Sequence, residues 1–259
     1  MNSSHEARPE HRFSVRVADY VRYRPGYPAA LLEWLHDVTG FDASWIVADV
    51  GSGTGIFSAL LLAHGNRVFG VEPNDAMRAE AERALGSQSA FTSVSGTAGA
   101  TTLPDASVDL VTAAQAFHWF EPEAAKREFR RILKPGGWAL VVFNTRRIDA
   151  SPFMRAYDEF LHAHATDYAR VDHRRATQPD NLRAFLGDYQ EWRFHFTLHC
   201  PWKAVLGFSM SSSYSPAPDH PAHAAYVAEL ERIFHEHAVN DRVDFLYETE
   251  AYVGKLLTA

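Results

Sequence analysis

The chain alternates short apolar runs with amphipathic stretches, and this alternation predicts its elements. Apolar runs rich in Val, Ala, Leu and Phe are typical of strands, whereas apolar positions recurring every three or four residues indicate helices. The first half predicts strands at 45–50, 67–72, 90–94, 108–113 and 138–143, with helices at 29–38, 56–64, 75–85 and 122–131. Strands that alternate with helices in this way predict a parallel sheet with helices on both faces.

After residue 144 the pattern becomes mostly helical. It predicts helices at 151–167, 179–186, 201–214 and 226–237, and strands at 192–199 and 243–253. We therefore expect an α/β fold with a doubly wound, mostly parallel seven-stranded sheet. We divide it into an N-terminal arm and helix (1–40), a ligand-binding sheet core (41–148), and cap helices with the last strands of the same sheet (149–259). A separate second domain is disfavoured because no long linker divides the halves.

A glycine-rich run, Asp49-Val50-Gly51-Ser52-Gly53-Thr54-Gly55, ends the first predicted strand. Glycines allow positive φ and let a ligand approach the backbone, and the amides at the following helix start are free to bind it. Seventeen positions after Gly55, Glu72 ends the second strand. An acid at that point is placed to bind ribose hydroxyls, so the pair indicates a nucleoside-bearing ligand.

Details of the same loop narrow the class of ligand. A dinucleotide site has its third glycine one position later, where this chain has Ile56, and a P-loop has a lysine that this loop lacks. Asp49 would repel a pyrophosphate but attract a positive amino group. These residues favour a cationic nucleoside without phosphate, and they disfavour a nicotinamide dehydrogenase.

Composition and charge exclude several classes of partner. The formal net charge of −7 over 259 residues argues against nucleic-acid binding. No stretch reaches the roughly 18 apolar residues of a membrane span, and the first residues lack a signal-peptide pattern. Cys200 is the only cysteine, which fits a cytoplasmic protein. The fourteen histidines form no His-Glu-x-x-His motif, so we predict no metal site.

The glycine run resembles the first motif of class I S-adenosylmethionine-dependent methyltransferases, and Glu72 matches their ribose-binding acid. Further segments resemble other motifs of this family: Leu103-Pro104, Val108–Val111 and Arg131–Gly137. Within it, Ala114–Phe120 and Tyr20–Pro28 resemble the type 11, trans-aconitate methyltransferase-like subgroup. The resemblance implies a Rossmann-like core, S-adenosylmethionine as cofactor with S-adenosylhomocysteine as product, and a small-molecule acceptor. It leaves a monomer or a homodimer open.

The resemblance also implies which residues bind the cofactor. Backbone amides near Gly51 and Gly53, with Asp49, would hold the methionine part, and Glu72 would hold the ribose. Residues at the ends of strands two to four and in the N-terminal arm would enclose the rest. The expected set is Tyr23, Arg24, Asp49, Gly51, Ser52, Gly53, Gly55, Glu72, Pro73, Met77, Thr97, Ala98, Gln115, Ala116 and Phe117. Gly99 stands where the family often has Glu, which leaves the adenine amino contact open.

Catalytic and acceptor-binding candidates follow from position. His118, at the tip of the fourth strand, is either a general base or a hydrogen-bonded structural residue, and Asn144 either orients the acceptor or caps a turn. Phe117 or Trp119 would face the sulfonium, where a ring attracts a cation by roughly 0.5–2 kcal/mol. Predicted acceptor contacts are Trp119, Tyr157, Tyr168, Ser213 and Tyr214.

Two other functions remain open from the sequence. The pocket could use a different carbon of the sulfonium, by aminocarboxypropyl transfer or by cyclisation with release of methylthioadenosine. It could also serve a regulatory protein that binds the cofactor without turnover. The acceptor could be an oxygen, nitrogen or carbon nucleophile, including a carboxylate.

Overall fold

A computed structural model describes residues 24–165, 168, 177–212 and 214–256. Tyr23, Ser213 and most of the predicted arm lie outside these residues. The strands are β1 Ile46–Val50, β2 Arg67–Val71, β3 Phe91–Val94, β4 Val108–Ala114, β5 Leu133–Arg146, β6 Tyr189–Pro201 and β7 Arg242–Gly254. The helices are α1 Ala30–Thr39, α2 Ile56–His64, α3 Asp75–Leu85, α4 Pro122–Ile132, α5 Pro152–His164, α6 Pro179–Leu186, α7 Trp202–Met210 and α8 His223–His237. Short 3₁₀ turns span Phe117–Trp119 and Ile148–Ala150.

The seven strands form one sheet in the order β3-β2-β1-β4-β5-β7-β6. Strands β1 to β5 pair in parallel, whereas β7 runs antiparallel to both β5 and β6. This arrangement confirms the predicted doubly wound, mostly parallel seven-stranded fold. Because β2 and β3 lie on one side of β1 and β4 lies on the other, the order of strand addition reverses at β1, and a crevice opens at the carboxyl ends of these parallel strands.

The start of β5 differs from the prediction. The sequence Lys134-Pro135-Gly136-Gly137 predicts a break before a strand at 138, yet α4 passes directly into β5 at Leu133. Val108 pairs with Leu133 and Leu110 with Trp138, so several residues of β5 bulge out of the ladder. Gly136 has φ +84°, which lets the bulge form without breaking the strand.

Two apolar clusters cover the faces of the sheet, and a third lies beneath the late helices. Side chains alternate along β1, so Val47 packs on one face and Val50 on the other. The third cluster joins α5, α7 and α8 to the first half of β7, with Tyr157 and Phe245 at its centre. These three helices therefore stand beside the carboxyl end of β5. Helix α6 instead packs on the sheet core through Phe185.

Candidate active site

A cavity of about 710 Å³ lies along the carboxyl ends of the parallel strands. Its walls come from the loops after β1, β2 and β4, from the end of β5, and from the late helices. Small-molecule sites in proteins commonly have volumes of about 300–1,000 Å³, and in open α/β sheets they lie at this edge. The cavity is therefore the candidate active site.

The glycine loop is held tightly against neighbouring strands. Gly51, Gly53 and Gly55 have φ of +70°, +56° and +84°. The amides of Gly51 and Ser52 donate to the Val71 carbonyl at 2.8 and 3.1 Å, which ties the loop to the end of β2. A Cβ added at Gly51 would lie 2.5 Å from the Ala116 Cβ. The loop backbone thus lies directly on the end of β4, where no larger residue fits.

Glu72 joins the loop to the second strand. One carboxylate oxygen accepts from the Gly53 amide at 2.9 Å and the other from the Asn74 amide at 2.8 Å. The side chain is largely buried and lines the cavity, and burial raises its pKa. A carboxylate has about four acceptor positions, so two remain for ligand hydroxyls.

Asp49 holds a carboxylate beneath the same loop. It is fully buried, and its oxygens accept from the Ser58 hydroxyl at 2.6 Å and the Thr112 hydroxyl at 2.8 Å. Burial raises its pKa to about 6, against the opposing effect of these hydrogen bonds. At neutral pH the group is therefore mostly ionised, and it gives this part of the cavity a negative charge.

Two buried hydroxyls of the loop lack a hydrogen-bond partner among the described residues. They are the Ser52 and Thr54 side chains, and both residues line the cavity. A buried polar atom left unpaired is unfavourable by about 1–3 kcal/mol, so such atoms in a cavity indicate a polar ligand. With the open acceptor positions of Glu72 and the charge of Asp49, these residues fit a nucleoside that carries hydroxyls and an ammonium group.

The segment after β4 turns sharply at Gln115, which has φ +57° and donates from its side-chain amide to the Asn144 carbonyl at 3.0 Å. Gln115 and Ala116 line the cavity. Phe117, expected to line the sulfonium, instead packs in the core against Phe120 and Phe185. Side chains in a 3₁₀ turn point about 120° apart, and that of Phe117 takes the core-facing direction.

His118 and Asn144, the two catalytic candidates, both lie at the cavity. The His118 ring packs against Trp119 and Phe143 at centroid distances of 4.6 and 5.7 Å. Asn144 accepts from the Thr249 hydroxyl at 2.6 Å and donates to the Gly26 carbonyl at 3.1 Å. Asn144 thus links β5 to β7 and to the segment before α1. A role for either residue in the reaction stays a prediction.

At the β5 end, the cavity contains two arginines and a group of aromatic rings. The Arg24 guanidinium lies 5.5 Å from the Phe208 ring centroid and donates to the Ser212 hydroxyl at 3.3 Å. Arg146 donates to the hydroxyls of Tyr168 and Tyr214 at 2.8 and 3.4 Å. The acids that line the cavity are Asp49 on β1, Glu72 after β2 and Glu121 after β4. Acidic side chains therefore lie towards β1, β2 and β4, and the arginines lie near the end of β5.

Comparison with known proteins agrees with this geometry. Residues 48–141 match a family model described as "Methyltransferase domain". These residues include the glycine loop, Glu72 and the turn at Gln115. They form a class I methyltransferase domain.

Relatives and solved structures extend the similarity beyond the methyltransferase domain. An uncharacterized methyltransferase-like protein of Schizosaccharomyces pombe is 36% identical over 163 residues, which cover 60% of this chain and 59% of the relative. An uncharacterized methyltransferase of Mycobacterium tuberculosis is 39% identical over 134 residues, which cover 52% of each chain. The matches thus span between half and three-fifths of these relatives.

Among solved structures, a candidate type II methyltransferase from Anaeromyxobacter dehalogenans is 25% identical, with a TM-score of 0.69 over 92% of this chain and 100% of that one. The [4+2]-cyclase SpnF shares the fold at 16% identity, with a TM-score of 0.51, over 99% of this chain and 98% of that one. One fold can host different chemistry, so the fold by itself does not establish the reaction.

Most residues predicted to bind the cofactor line the cavity of the methyltransferase domain: Arg24, Asp49, Gly51, Ser52, Gly53, Glu72, Pro73, Met77, Thr97, Ala98, Gln115 and Ala116. Gly55 and Phe117 lie outside the lining, Gly55 as the N-cap of α2. Of the predicted acceptor contacts, Trp119, Tyr168 and Tyr214 line it, whereas Tyr157 is fully buried behind it. The structure brings these residues together, and their individual roles stay predictions.

The sequence reasoning missed several lining residues, chiefly Arg146, Phe208 and Tyr247. One signal was available for Arg146: it lies two positions after Asn144 on the same strand, so the two side chains share a face. Tyr247 pairs with Arg146 across β5 and β7, and only the sheet register reveals this.

The described residues contain no group of three or more His, Cys, Asp or Glu side chains that could hold a metal ion. Nor does any helix in the described ranges have both the length and the apolar character needed to cross a membrane.

Proposed function

We propose that this protein transfers a methyl group from S-adenosylmethionine to a small-molecule acceptor. The observation that carries the proposal is Glu72, whose buried carboxylate accepts the Gly53 amide at 2.9 Å and so joins a ribose-binding acid to the glycine loop. Asp49 adds a negative charge under that loop and fits the amino group of this cofactor. The formal net charge of −7 and the single cysteine support a cytoplasmic enzyme that acts, as a monomer or homodimer, on a small molecule without nucleic acid.

Different cavity residues would bind different parts of the cofactor. Glu72 would accept hydrogen bonds from the two ribose hydroxyls, while Pro73, Met77, Thr97 and Ala98 would enclose the adenine. When bound, S-adenosylmethionine supplies a methyl group made electrophilic by its positively charged sulfur. The strand order supports an acceptor site at the β5 end of the cavity, because a cofactor that extends from β2 past β1 and β4 would leave that end for the second substrate.

The chain contributes to methyl transfer mainly by alignment and by exclusion of water. Holding two reactants in line converts a bimolecular step into one within a complex and can supply a large part of the rate. Trp119, Phe120 and Phe208 form apolar walls that would keep water from the reacting atoms. His118 would accept the proton that a hydroxyl or amine acceptor loses, whereas a carboxylate acceptor would need no base.

The first test measures cofactor binding and turnover. Titration calorimetry should show binding of S-adenosylmethionine and S-adenosylhomocysteine, and E72Q should weaken both by about 10- to 100-fold, because charged hydrogen bonds contribute roughly 1.5–3 kcal/mol. The control is E236Q, a substitution in a surface ion pair with Arg232 that should leave binding unchanged.

Turnover with methyl-labelled cofactor and an acceptor panel should then release S-adenosylhomocysteine. Release of methylthioadenosine would instead establish use of another carbon of the sulfonium. Tight binding without either product would establish a binding protein. A wild-type chain that binds neither nucleoside would refute the proposal.

A further inference from the structure

At the β5 end of the cavity, the Arg146 guanidinium lies between aromatic rings. Arg146 contacts the ring faces of Tyr157 and Tyr168 at 5.3 and 5.4 Å from their centroids. It also donates to the hydroxyls of Tyr168 and Tyr214. Arg146 is partly exposed and lines the cavity, so part of its surface is available to a ligand.

No carboxylate forms an ion pair with Arg146 among the described residues, whereas Arg78, which is also half-buried, pairs with Asp75. Its polar contacts are the hydroxyls of Tyr168 and Tyr214, which use two of its five N–H donors. The Tyr168 hydroxyl in turn donates to Asp158 at 2.6 Å. A guanidinium withdrawn from water is stabilised best by a carboxylate or phosphate that it binds in two-pronged fashion. The unused donors therefore fit an anionic group.

A second observation points to a ligand at the same place. The Tyr247 hydroxyl is buried, with the residue 3% exposed, and has no hydrogen-bond partner within the described part of the chain. Tyr247 lines the cavity and stands directly opposite Arg146 in the β5–β7 register. An unpaired buried hydroxyl beside an arginine can donate to the same anion.

The remaining walls determine the kind of molecule that carries the anion. Phe208 and Tyr247 meet edge to face at a centroid distance of 6.2 Å, as do Tyr168 and Tyr214 at 5.1 Å. Trp119 lines the cavity from the β4 side. Such walls favour an apolar, planar body. A cationic acceptor is disfavoured because Arg146 already occupies the tyrosine faces and Arg24 adds a second positive charge to this end.

We propose that Arg146, held in place by the Tyr168 and Tyr214 hydroxyls, binds together with Tyr247 a carboxylate or phosphate group of the methyl acceptor, and that the acceptor joins this group to an apolar, planar body. The proposal rests on the function proposed above, because it takes the β5 end of the cavity as the acceptor subsite. It makes Arg146 a specificity-determining residue.

The test titrates protein saturated with S-adenosylhomocysteine with four probes: phenylpropionate, phenyl phosphate, the neutral phenylpropionamide, and succinate. We expect phenylpropionate or phenyl phosphate to bind at least about tenfold more tightly than the amide, as charged hydrogen bonds to an arginine imply. Comparison of these two anions identifies the charged group. The aromatic anion should also bind more tightly than succinate, which has charge but no apolar body.

R146Q should abolish the preference for the anion, whereas the matched control R147Q should retain it, since the neighbouring Arg147 lies outside the cavity. Y247F should weaken anion binding by about three- to tenfold while leaving the core packed, and R146K should keep the charge but lose the two-pronged geometry. In turnover assays R146Q should raise KM for anionic acceptors more than it lowers kcat.

Binding of S-adenosylhomocysteine is measured on every variant, which separates this proposal from the proposed function. Loss of nucleoside binding in the wild type refutes the methyltransferase activity, whereas retained nucleoside binding with equal affinity for amide and anion refutes the anion site. Equal binding of anions by R146Q and R147Q also overturns it. Tighter binding of succinate than of phenylpropionate overturns the apolar body.

Discussion

Asp49 shows how one buried carboxylate can couple stability to ligand binding. Its full burial raises its pKa from 3.8 to about 6, while Ser58 and Thr112 hold it in place. The native protein thus keeps a proton that the unfolded chain has already lost between those two values. Ionisation in the native state is unfavourable by about 3 kcal/mol, and the resulting negative charge would attract the ammonium group of the proposed cofactor.

We therefore predict that the free energy of unfolding and the ligand affinity change with pH in opposite directions, both through the pKa of Asp49. As pH rises from about 4 to about 6, this residue lowers the free energy of unfolding, and above that range its contribution is constant. Affinity for S-adenosylhomocysteine should increase as pH rises through about 6. Chemical denaturation and calorimetry from pH 4 to 8 measure the two curves.

The comparison with D49N isolates this residue from other titrating groups, among them Glu72, whose pKa burial also raises. The variant should bind more weakly above pH 6 and should lack the Asp49 contribution to both curves. If wild type and D49N have the same slopes, Asp49 does not control them.

At the scale of elements, the connection from β1 to α2 depends on two separate requirements for glycine. Gly51 needs both a positive φ and the absence of a Cβ, because Ala116 lies 2.5 Å from where that atom would be. Gly53 needs only the positive φ, since nothing lies within 4 Å of its would-be Cβ. The two positions form a matched pair on the same loop.

We expect G53A to lower the free energy of unfolding by roughly 1–2 kcal/mol through backbone strain, and G51A to lower it by about 1–3 kcal/mol more through overlap with Ala116. Urea denaturation measures both. The double variant G51A/A116G should recover part of the loss, because it removes the overlapping methyl group, whereas A116G should not rescue G53A. Equal losses in the two single variants would contradict this account of the loop.

At the scale of the whole molecule, the cavity exists because two packing units meet. The parallel strands provide the glycine loop and the acids, while α5, α7 and α8 pack on β7 and enclose the β5 end. A ligand that spans this cavity would contact both units. The outer strand β6 lies at the far edge of the sheet and contributes no lining residue.

Hydrogen exchange followed by mass spectrometry should report this division. Saturating S-adenosylhomocysteine should slow exchange in residues 51–55, 72–74 and 114–121, while exchange in β6 should change little. At a hundred times its dissociation constant the ligand should raise the free energy of unfolding by about 2.7 kcal/mol. Uniform protection across the chain, β6 included, would show that the ligand acts through global stability and not at this cavity.

Much of this protein was predictable from local sequence. The alternation of apolar runs and amphipathic stretches determines the elements, because side-chain period and burial are properties of neighbouring residues. The spacing from the glycine run to Glu72 correctly predicted that this acid lies beside the loop, since both lie at the ends of adjacent parallel strands. The start of β5 was predicted wrongly because a strand bulge and a chain break use the same Pro-Gly-Gly sequence.

The proposed acceptor end of the cavity could not be predicted from the sequence, because it forms only in the tertiary structure. Arg146 is paired with Tyr247, a residue about a hundred positions away, and with Tyr168 and Tyr214 from the cap. Phe117 faces the core because of a turn whose direction depends on what packs around it. The sequence by itself determined the fold class and the residues proposed to bind the methyl donor, because those signals are local or repeat from strand to strand. The proposed acceptor subsite needed the folded chain, because contacts between distant segments leave no pattern along the sequence.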